Sequence, residues 1–462
     1  MRDILISLFI LGALPTCFRR PFIGLLLFSL LAYMRVQDLT WGFAKYQRWS
    51  YYVAIVTAAG YILGSGPKRL MVRDARCWMM LGLVALVGVS MMAGDIHGTN
   101  DVTIYVEFLK IIVVALFTTV VVKNREYLRI LVWLIALSFG FFGLKGGLQW
   151  ILSGGGMKII AGPGGMISDN NDFALALCMG LPLLYNLGIA ERREHLRRIL
   201  LAMVPLTMMT IIATHSRGGF LSMCTVILVL IWRSQNRLAG LATGILLATA
   251  GAMVVPQSFV DRLSTIKEYE TEGSAAGRLA AWKTAGVMIQ SHPIVGVGFE
   301  QFQANYKDYD PLRQEGRESG TRVTHNTYLQ LWAECGTPAF LLFVGLIVLT
   351  FTDLWGLRRE AARRYHSSWI LSYATMFEAS MAAFCMGAMF LNRANFDLFY
   401  HLIAIVVVFG RIARESMRDE SDYPVKSAGR GTLVAVERRD FNRKPARRGF
   451  GRGGGEPVLG GF

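Results

Sequence analysis

Long apolar runs separated by short polar clusters dominate the chain. They fall near 4–17, 21–35, 50–64, 78–93, 104–122, 128–144, 173–190, 199–215, 219–232, 238–255, 327–354, 369–391 and 396–411. Most approach the roughly 20 residues that a helix needs to cross a hydrocarbon core of about 30 Å. The runs are continuous, not alternating, which argues against a β-barrel. A bilayer offers no water to backbone N–H and C=O groups, so each run is expected to be a helix. The first two runs are short and flanked by Pro15 and Pro21. They form either two spans or one broken span with an interfacial piece. The pattern therefore predicts an all-α polytopic integral membrane protein with about 12 transmembrane helices.

The polar clusters set an orientation. Basic loops carry Lys68, Arg69, Arg73 and Arg76; Lys123, Arg125 and Arg129; Arg192, Arg193, Arg197 and Arg198; Arg233 and Arg237; and Arg358, Arg359, Arg363 and Arg364. Each is separated from the next by two spans. The loops between them, 94–103, 145–172, 216–218, 256–326 and 392–395, carry few cations or balance them with acids. The basic set is expected to face the cytoplasm, and the C-terminus with it. The sidedness of the N-terminus depends on the unresolved first pair.

One outer loop is large enough to fold. Residues 256–326 read as a helical cap over the outer mouth of the bundle, with Ala280, Ala281, Thr284, Ala285 and Met288 at helical spacing along Ala275–Ser291. Ser291-His292-Pro293 ends that helix, since proline disfavours a helix before it. A second helix is predicted near Gln301–Tyr309. The chain thus divides into an N-terminal membrane region (1–130), central helices (131–255), the cap (256–326), C-terminal helices (327–415) and a Gly/Arg-rich tail (416–462). The tail, with Arg447-Arg448-Gly449-Phe450-Gly451-Arg452, is too polar to bury a core and is expected to be disordered.

Composition agrees with the pattern. Of 462 residues, 53% are hydrophobic and 17% charged, against about a quarter charged in soluble domains. The net charge of +16 is better read as loop asymmetry and attraction to anionic lipid than as nucleic-acid binding. The six cysteines, Cys17, Cys77, Cys178, Cys224, Cys335 and Cys385, form no CxxC pair and mostly lie in apolar runs. They read as small buried hydrophobes, not as a zinc site or a disulfide framework.

An ionisable group at the rim of a membrane bundle is costly and so marks a candidate site. Arg217 lies in a short outer turn, His215-Ser216-Arg217-Gly218-Gly219. Its planar fork of donors suits phosphate; the alternative is an interfacial anchor reaching headgroups. Arg278 opens the cap helix in Gly277-Arg278-Leu279-Ala280-Ala281-Trp282 and on its own reads as a solvated charge. His325, in Thr324-His325-Asn326-Thr327, stands where the loop returns to the membrane. A neutral imidazole there can take a proton from a hydroxyl; the alternative is a hydrogen-bonded interfacial histidine. Asp169-Asn170-Asn171-Asp172 opens a span on the outer side, as helix capping or as cavity lining. Two signals are set aside. Asp308-Tyr309-Asp310 has the DxD spacing of nucleotide-sugar transferases, whose substrates belong to the cytoplasm. The glycines of 154–165 lack the GK[ST] of a phosphate loop and read as a flexible or re-entrant outer loop.

Taken in order, these features resemble the bacterial O-antigen ligase/polymerase superfamily of membrane glycosyltransferases. An outer Ser216-Arg217-Gly218-Gly219 turn is followed by a large outer loop carrying Arg278, Trp282, Pro293, Gly296, Gly298 and Phe302. That loop closes on His325-Asn326, with Tyr328, Leu329, Glu334 and Gly336 entering the next span. The first 130 or so residues, including Leu39-Thr40-Trp41-Gly42-Phe43, resemble ligase-like proteins found beside exosortase systems.

The resemblance implies a GT-C-like, inverting, metal-independent enzyme of the bacterial inner membrane with a periplasmic active site. It would need no cofactor. Its partners would be an undecaprenyl-diphosphate-linked glycan, a lipid A–core acceptor and membrane lipids, with no nucleic acid. The family's essential arginines would fall on Arg217 and Arg278, which would bind the diphosphate, and its essential histidine on His325. The chemistry of these side chains is compatible: two guanidiniums can stabilise a leaving diphosphate and an imidazole can activate the acceptor hydroxyl. Asn326, Asn171 and Asp172 would line the cavity. Ligation to protein and O-antigen polymerisation share this donor chemistry. A transporter is the competing class, though no internal repeat supports it.

Overall fold

The computed structural model describes residues 1–65, 68, 72–94, 102–234, 238, 273–314, 320–364 and 368–419. The expected span beyond Leu238, the first part of the outer loop (256–272) and the tail beyond Asp419 lie outside the described residues.

The first two apolar runs form two helices, α1 (Arg2–Arg19) and α2 (Pro21–Tyr33). Pro21 sits in the first turn of α2, where its missing N–H removes no helical bond. Asp3, at the start of α1, accepts hydrogen bonds from the N–H groups of Gly42 (3.0 Å) and Ala44 (3.1 Å), beyond the end of α2. The start of α1 and the end of α2 therefore lie at the same end of the bundle, and the pair is an antiparallel hairpin. The segment from α2 to α4 (Trp49–Leu63) contains the short helix α3 (Phe43–Tyr46), and α4 packs against both members of the hairpin.

Then follow α5 (Ala75–Ala93), α6 (Val102–Val121), α7 (Arg125–Leu152), α8 (Asn170–Ala190), α9 (Glu194–Ala213) and α10 (Arg217–Arg233). The cap comprises α11 (Gly273–Ser291), α12 (Phe302–Tyr309) and α13 (Pro311–Gln314). After it come α14 (Thr327–Arg364), α15 (Ser368–Gly387) and α16 (Asp397–Asp419). Among the described residues seven helices, α5 to α9, α14 and α15, are long and apolar enough to cross a membrane. This is an all-α polytopic membrane protein.

Two helices occupy the middle of the bundle. In α8 the window that would cross the membrane is 83% buried, and in α16 the stretch from Leu398 to Gly410 is buried throughout. Phe384, Phe396 and Phe399 stack around the start of α16, with the rings of Phe384 and Phe399 4.1 Å apart. Helices enclosed in this way hold the acids of their first turns, Asp172 and Asp397, in fixed places.

The basic helix ends gather opposite those starts, and several are neutralised there. Arg76 bonds to Asp74 (2.9 Å) and Asp353 (2.8 Å), Arg414 joins Asp353, and Arg233 joins Glu378. Charges near an apolar core need such partners.

The glycine-rich segment before α8 differs from the expected flexible loop. Part of it is an antiparallel hairpin of β1 (Ala161–Gly164) and β2 (Ile167–Asp169). Two strands of three and four residues are too short to show alternation, which hid them from the sequence pattern.

The cap has its own small core. Ala281, Ala285 and Met288 of α11 pack with Val297, Phe302, Tyr306 and Ala333 of α14. The cap backbone is stitched to α14 by Val297 N–H to Ala333 O (2.9 Å), Gly298 N–H to Glu334 O (3.0 Å) and Thr337 N–H to Pro293 O (2.8 Å). That approach needs two glycines. Gly296 (φ 77°) lies against the Glu334 carbonyl and Gly336 (φ 76°) against that of Ile294, so a Cβ at either would collide with backbone. Gly336 also interrupts α14 with a kink.

Candidate active site

At the end of the bundle away from the basic helix ends, four segments converge: the start of α8, the turn before α10, the strap 320–326 leading into α14, and the loop 388–396 between α15 and α16. Asp169 caps α8, accepting from Asn171 N–H at 2.8 Å. The Asn171 side-chain amide donates to Asp169 (3.0 Å) and Asn170 (3.1 Å), so Asn171 belongs to the cap. Asn170 donates to the Thr214 carbonyl at 2.9 Å, which ties this cap to the turn holding Arg217. Ser216 in turn caps α10, its hydroxyl accepting from Gly219 N–H at 3.1 Å. Arg217 is half-buried in the first turn of α10, and its neighbour Gly218 presses on Phe390 of the facing loop.

The strap carries His325 and is held on both sides. Trp282 of α11 donates its indole N–H to Thr324 O at 2.9 Å. The Asn392 carboxamide oxygen accepts from the Thr324 hydroxyl (2.7 Å) and from Asn326 N–H (3.1 Å). Asn326 is itself buried, and its carboxamide oxygen accepts from Tyr328 N–H (3.0 Å) and Leu329 N–H (3.1 Å). Asn326 thus caps α14. Between these fixed neighbours His325 stands exposed with φ 47°, an uncommon backbone state for a non-glycine residue.

Arg278 lies one helical turn before Trp282 on α11, and its charge acts on His325. The imidazole is held below the ordinary histidine value, first because surrounding protein displaces part of its water and then because of Arg278; Asp169 works in the opposite direction. The ring is therefore neutral at neutral pH, the form that can accept a proton. Arg278, His325 and Asp169 are thus brought into one electrostatic neighbourhood, and Arg217 reaches the same end through the Asn170 link and the Phe390 contact.

The structure adds a cation that the loop pattern hid. Arg393 donates from Nε (2.8 Å) and Nη2 (2.5 Å) to Oδ2 of Asp172. Its backbone N–H donates to the Thr327 hydroxyl at 3.0 Å. Asp172, 2% exposed, is therefore the buried partner of an ion pair and is not free to line a cavity unaided. The rim argument that selected Arg217 applies equally to Arg393, a lone arginine between two apolar runs. Among the described residues no group of three His, Cys, Asp or Glu stands close enough to hold a metal ion. The six cysteines are free thiols.

A bundle of apolar helices with arginines and a neutral histidine collected at one end defines a membrane protein with a candidate site at that end. Residues 200–344 match the model of the O-antigen ligase family, Wzy_C. This match supports membership of the O-antigen ligase superfamily and, broadly, an activity of the ligase/polymerase type, that of a membrane glycosyltransferase. Residues 1–185 match a family of unknown function, DUF5935. No curated protein matches the chain. Arg217, Arg278 and His325 fall inside the ligase match, Asn171 and Asp172 inside the other, and Asn392 and Arg393 in neither.

Proposed function

We propose that the protein is an O-antigen ligase that moves a glycan from undecaprenyl diphosphate to a hydroxyl of lipid A–core on the periplasmic side of the inner membrane. The observation that carries this reading is the pairing of a depressed-pKa imidazole, His325, with the Arg278 guanidinium at the non-basic end of the bundle. The basic helix ends favour a cytoplasmic orientation for the opposite end and for the C-terminus.

His325 takes the proton from the acceptor hydroxyl as its oxygen forms a bond to the anomeric carbon. The bond from that carbon to the diphosphate oxygen breaks on the opposite face, and the configuration inverts. Arg217 and Arg278 receive the charge that develops on the departing diphosphate. Asp172 and Arg393 shape the wall beside them.

The test is transfer in vitro by the purified protein, with a lipid-diphosphate-linked glycan as donor, lipid A–core as acceptor and EDTA present. Arg217→Ala, Arg278→Ala and His325→Ala are each expected to abolish transfer while the protein still purifies as a folded species. Wild-type rates in all three variants overturn the proposal. The N-terminal resemblance to exosortase-associated ligases keeps a protein acceptor as the second reading, and the same assay with an acceptor protein decides between them. Flux of the donor across proteoliposomes without transfer would point to a transporter instead.

A further inference from the structure

We infer that Asn392, in the loop between α15 and α16, is the positioning residue that sets the reactive geometry of His325; the inference rests on His325 being the base proposed above. Asn392 lies outside both matched segments. Its carboxamide oxygen accepts from the residue before His325 (Thr324 hydroxyl, 2.7 Å) and from the residue after it (Asn326 N–H, 3.1 Å). A backbone N–H can only donate, so the carboxamide must present its oxygen there. One acceptor bridging positions on either side of a residue is a clamp on that residue's φ and ψ. His325 sits at φ 47° between them, a state that persists only where its surroundings over-determine it.

The clamp is anchored from behind. The next residue, Arg393, is pinned by two hydrogen bonds to Asp172 at the start of the enclosed helix α8, and its N–H donates to Thr327. Thr327 in turn donates its hydroxyl to Leu391 O (2.7 Å) and its N–H to Ala388 O (2.8 Å). The start of α14 and the 388–393 loop are thus tied together, and Asn392 is the part of this unit that grips the strap at His325. Asn392 acts on the reaction through His325 and is itself a positioning group.

The experiment uses the full-length protein in nanodiscs, with the lipid-diphosphate-linked glycan and lipid A–core as substrates. Asn392→Ala removes the shared acceptor. It is expected to lower kcat by on the order of 100-fold, the usual cost of a small misplacement of a reacting group, and to leave the donor KM unmoved. Asn392→Asp keeps an oxygen for both donors and adds a negative charge. It is expected to restore most of kcat and to move the acidic limb of the pH profile upward. The other charges around His325 are Arg278 on α11, Asp169 before α8, Arg322 on the strap and the Asp172-paired Arg393; none of them is changed. Should Asn392→Ala fail to fold, Asn392→Asp carries the test alone: retained kcat with a raised limb supports the clamp.

Wild-type kcat in Asn392→Ala, equal losses in both variants, or an unmoved limb in Asn392→Asp overturns it. His325→Ala separates the two proposals. If that variant is active, the assignment of the base fails first. If it is inactive while Asn392→Ala is fully active, only the positioning role is lost.

Discussion

Removing either partner of the Asp172–Arg393 pair should destabilise the protein unequally, and the inequality can be worked from burial. The Asp172 side chain is 3% exposed and that of Arg393 is 30% exposed. Deleting one member of a buried ion pair costs roughly 3–5 kcal/mol because the other is left uncompensated. Arg393→Gln strands a carboxylate with almost no water and should sit near the lower part of that range, about 3 kcal/mol, once the remaining polar surroundings relax. Asp172→Asn strands a guanidinium that keeps contact with water and stays near Asp169 and Glu300. Its cost should be smaller, about 1.5 kcal/mol. The double variant leaves no stranded charge. It should therefore be about as stable as Arg393→Gln alone, with a coupling energy of about 1.5 kcal/mol. Four of the six cysteines are buried, so a thiol-reactive dye followed during heating in detergent reports unfolding directly. The predicted order of melting temperature is wild type, then Asp172→Asn, then the double variant together with Arg393→Gln. Additive losses in the double variant, or a larger loss for Asp172→Asn than for Arg393→Gln, would refute the assignment of the pair as a buried ionic tie.

Activity should rise with pH through a midpoint below the ordinary histidine value of 6.5, because the folded protein disfavours the imidazolium of His325. Arg278→Gln removes a repelling charge and should raise the midpoint of the residual activity, whereas Asp169→Asn should lower it; shifts of opposite sign to these would contradict the electrostatic account. A depressed folded pKa also means that stability is lost as pH falls through it, so melting temperature should decline on acidification more in the wild type than in His325→Ala. Gly336→Ala places a methyl against the Ile294 carbonyl at φ 76°, which should loosen the cap at a cost of roughly 1–3 kcal/mol. Limited proteolysis of the cap should then accelerate while the bundle stays protected, and unchanged cleavage would show that the seam is not held there.

How much of this was legible in the sequence follows from the length scale of each signal. Long apolar runs announce membrane helices, and most expected runs coincide with helices because a spanning segment must satisfy all its backbone bonds internally. The apolar face of the cap helix was readable for the same reason: Ala281, Thr284, Ala285 and Met288 are buried at helical spacing. The hairpin at 161–169 was not, since Ala-Gly-Pro-Gly carries no alternation. For Asn326 the sequence leaves two roles open, because an asparagine before an apolar run signals a cap and a ligand equally well; its oxygen is engaged by Tyr328 and Leu329 N–H as a cap. Arg393 was hidden by counting. A loop with one arginine looked neutral, and its partner Asp172 lies 221 residues away along the chain. Nothing local in the sequence states such a pairing.

The distribution of backbone strain gives an independent reason to place function at this end of the bundle. Among the described residues four non-glycine positions have positive φ: Arg35, His215, Glu300 and His325. Each belongs to the same end. The guanidinium of Arg35 lies against Gly164 and Gly165 of the hairpin that leads into α8. His215 precedes Arg217, Glu300 acts electrostatically on Arg393, and His325 answers to Arg278. All four are titratable or charged, and none is Asn or Asp, the small polar residues that tolerate this conformation best. Strained states of this kind each cost on the order of 1–3 kcal/mol and persist where the surroundings impose them. The impositions come from both halves of the chain, because the hairpin and Asp172 lie in the segment of unknown function while Arg217, Arg278 and His325 lie in the ligase segment. This end draws its strained residues from both segments, Arg35 from the first and His215, Glu300 and His325 from the second, and its anchors from both as well. The N-terminal segment therefore helps to build the end of the bundle at which the function is proposed.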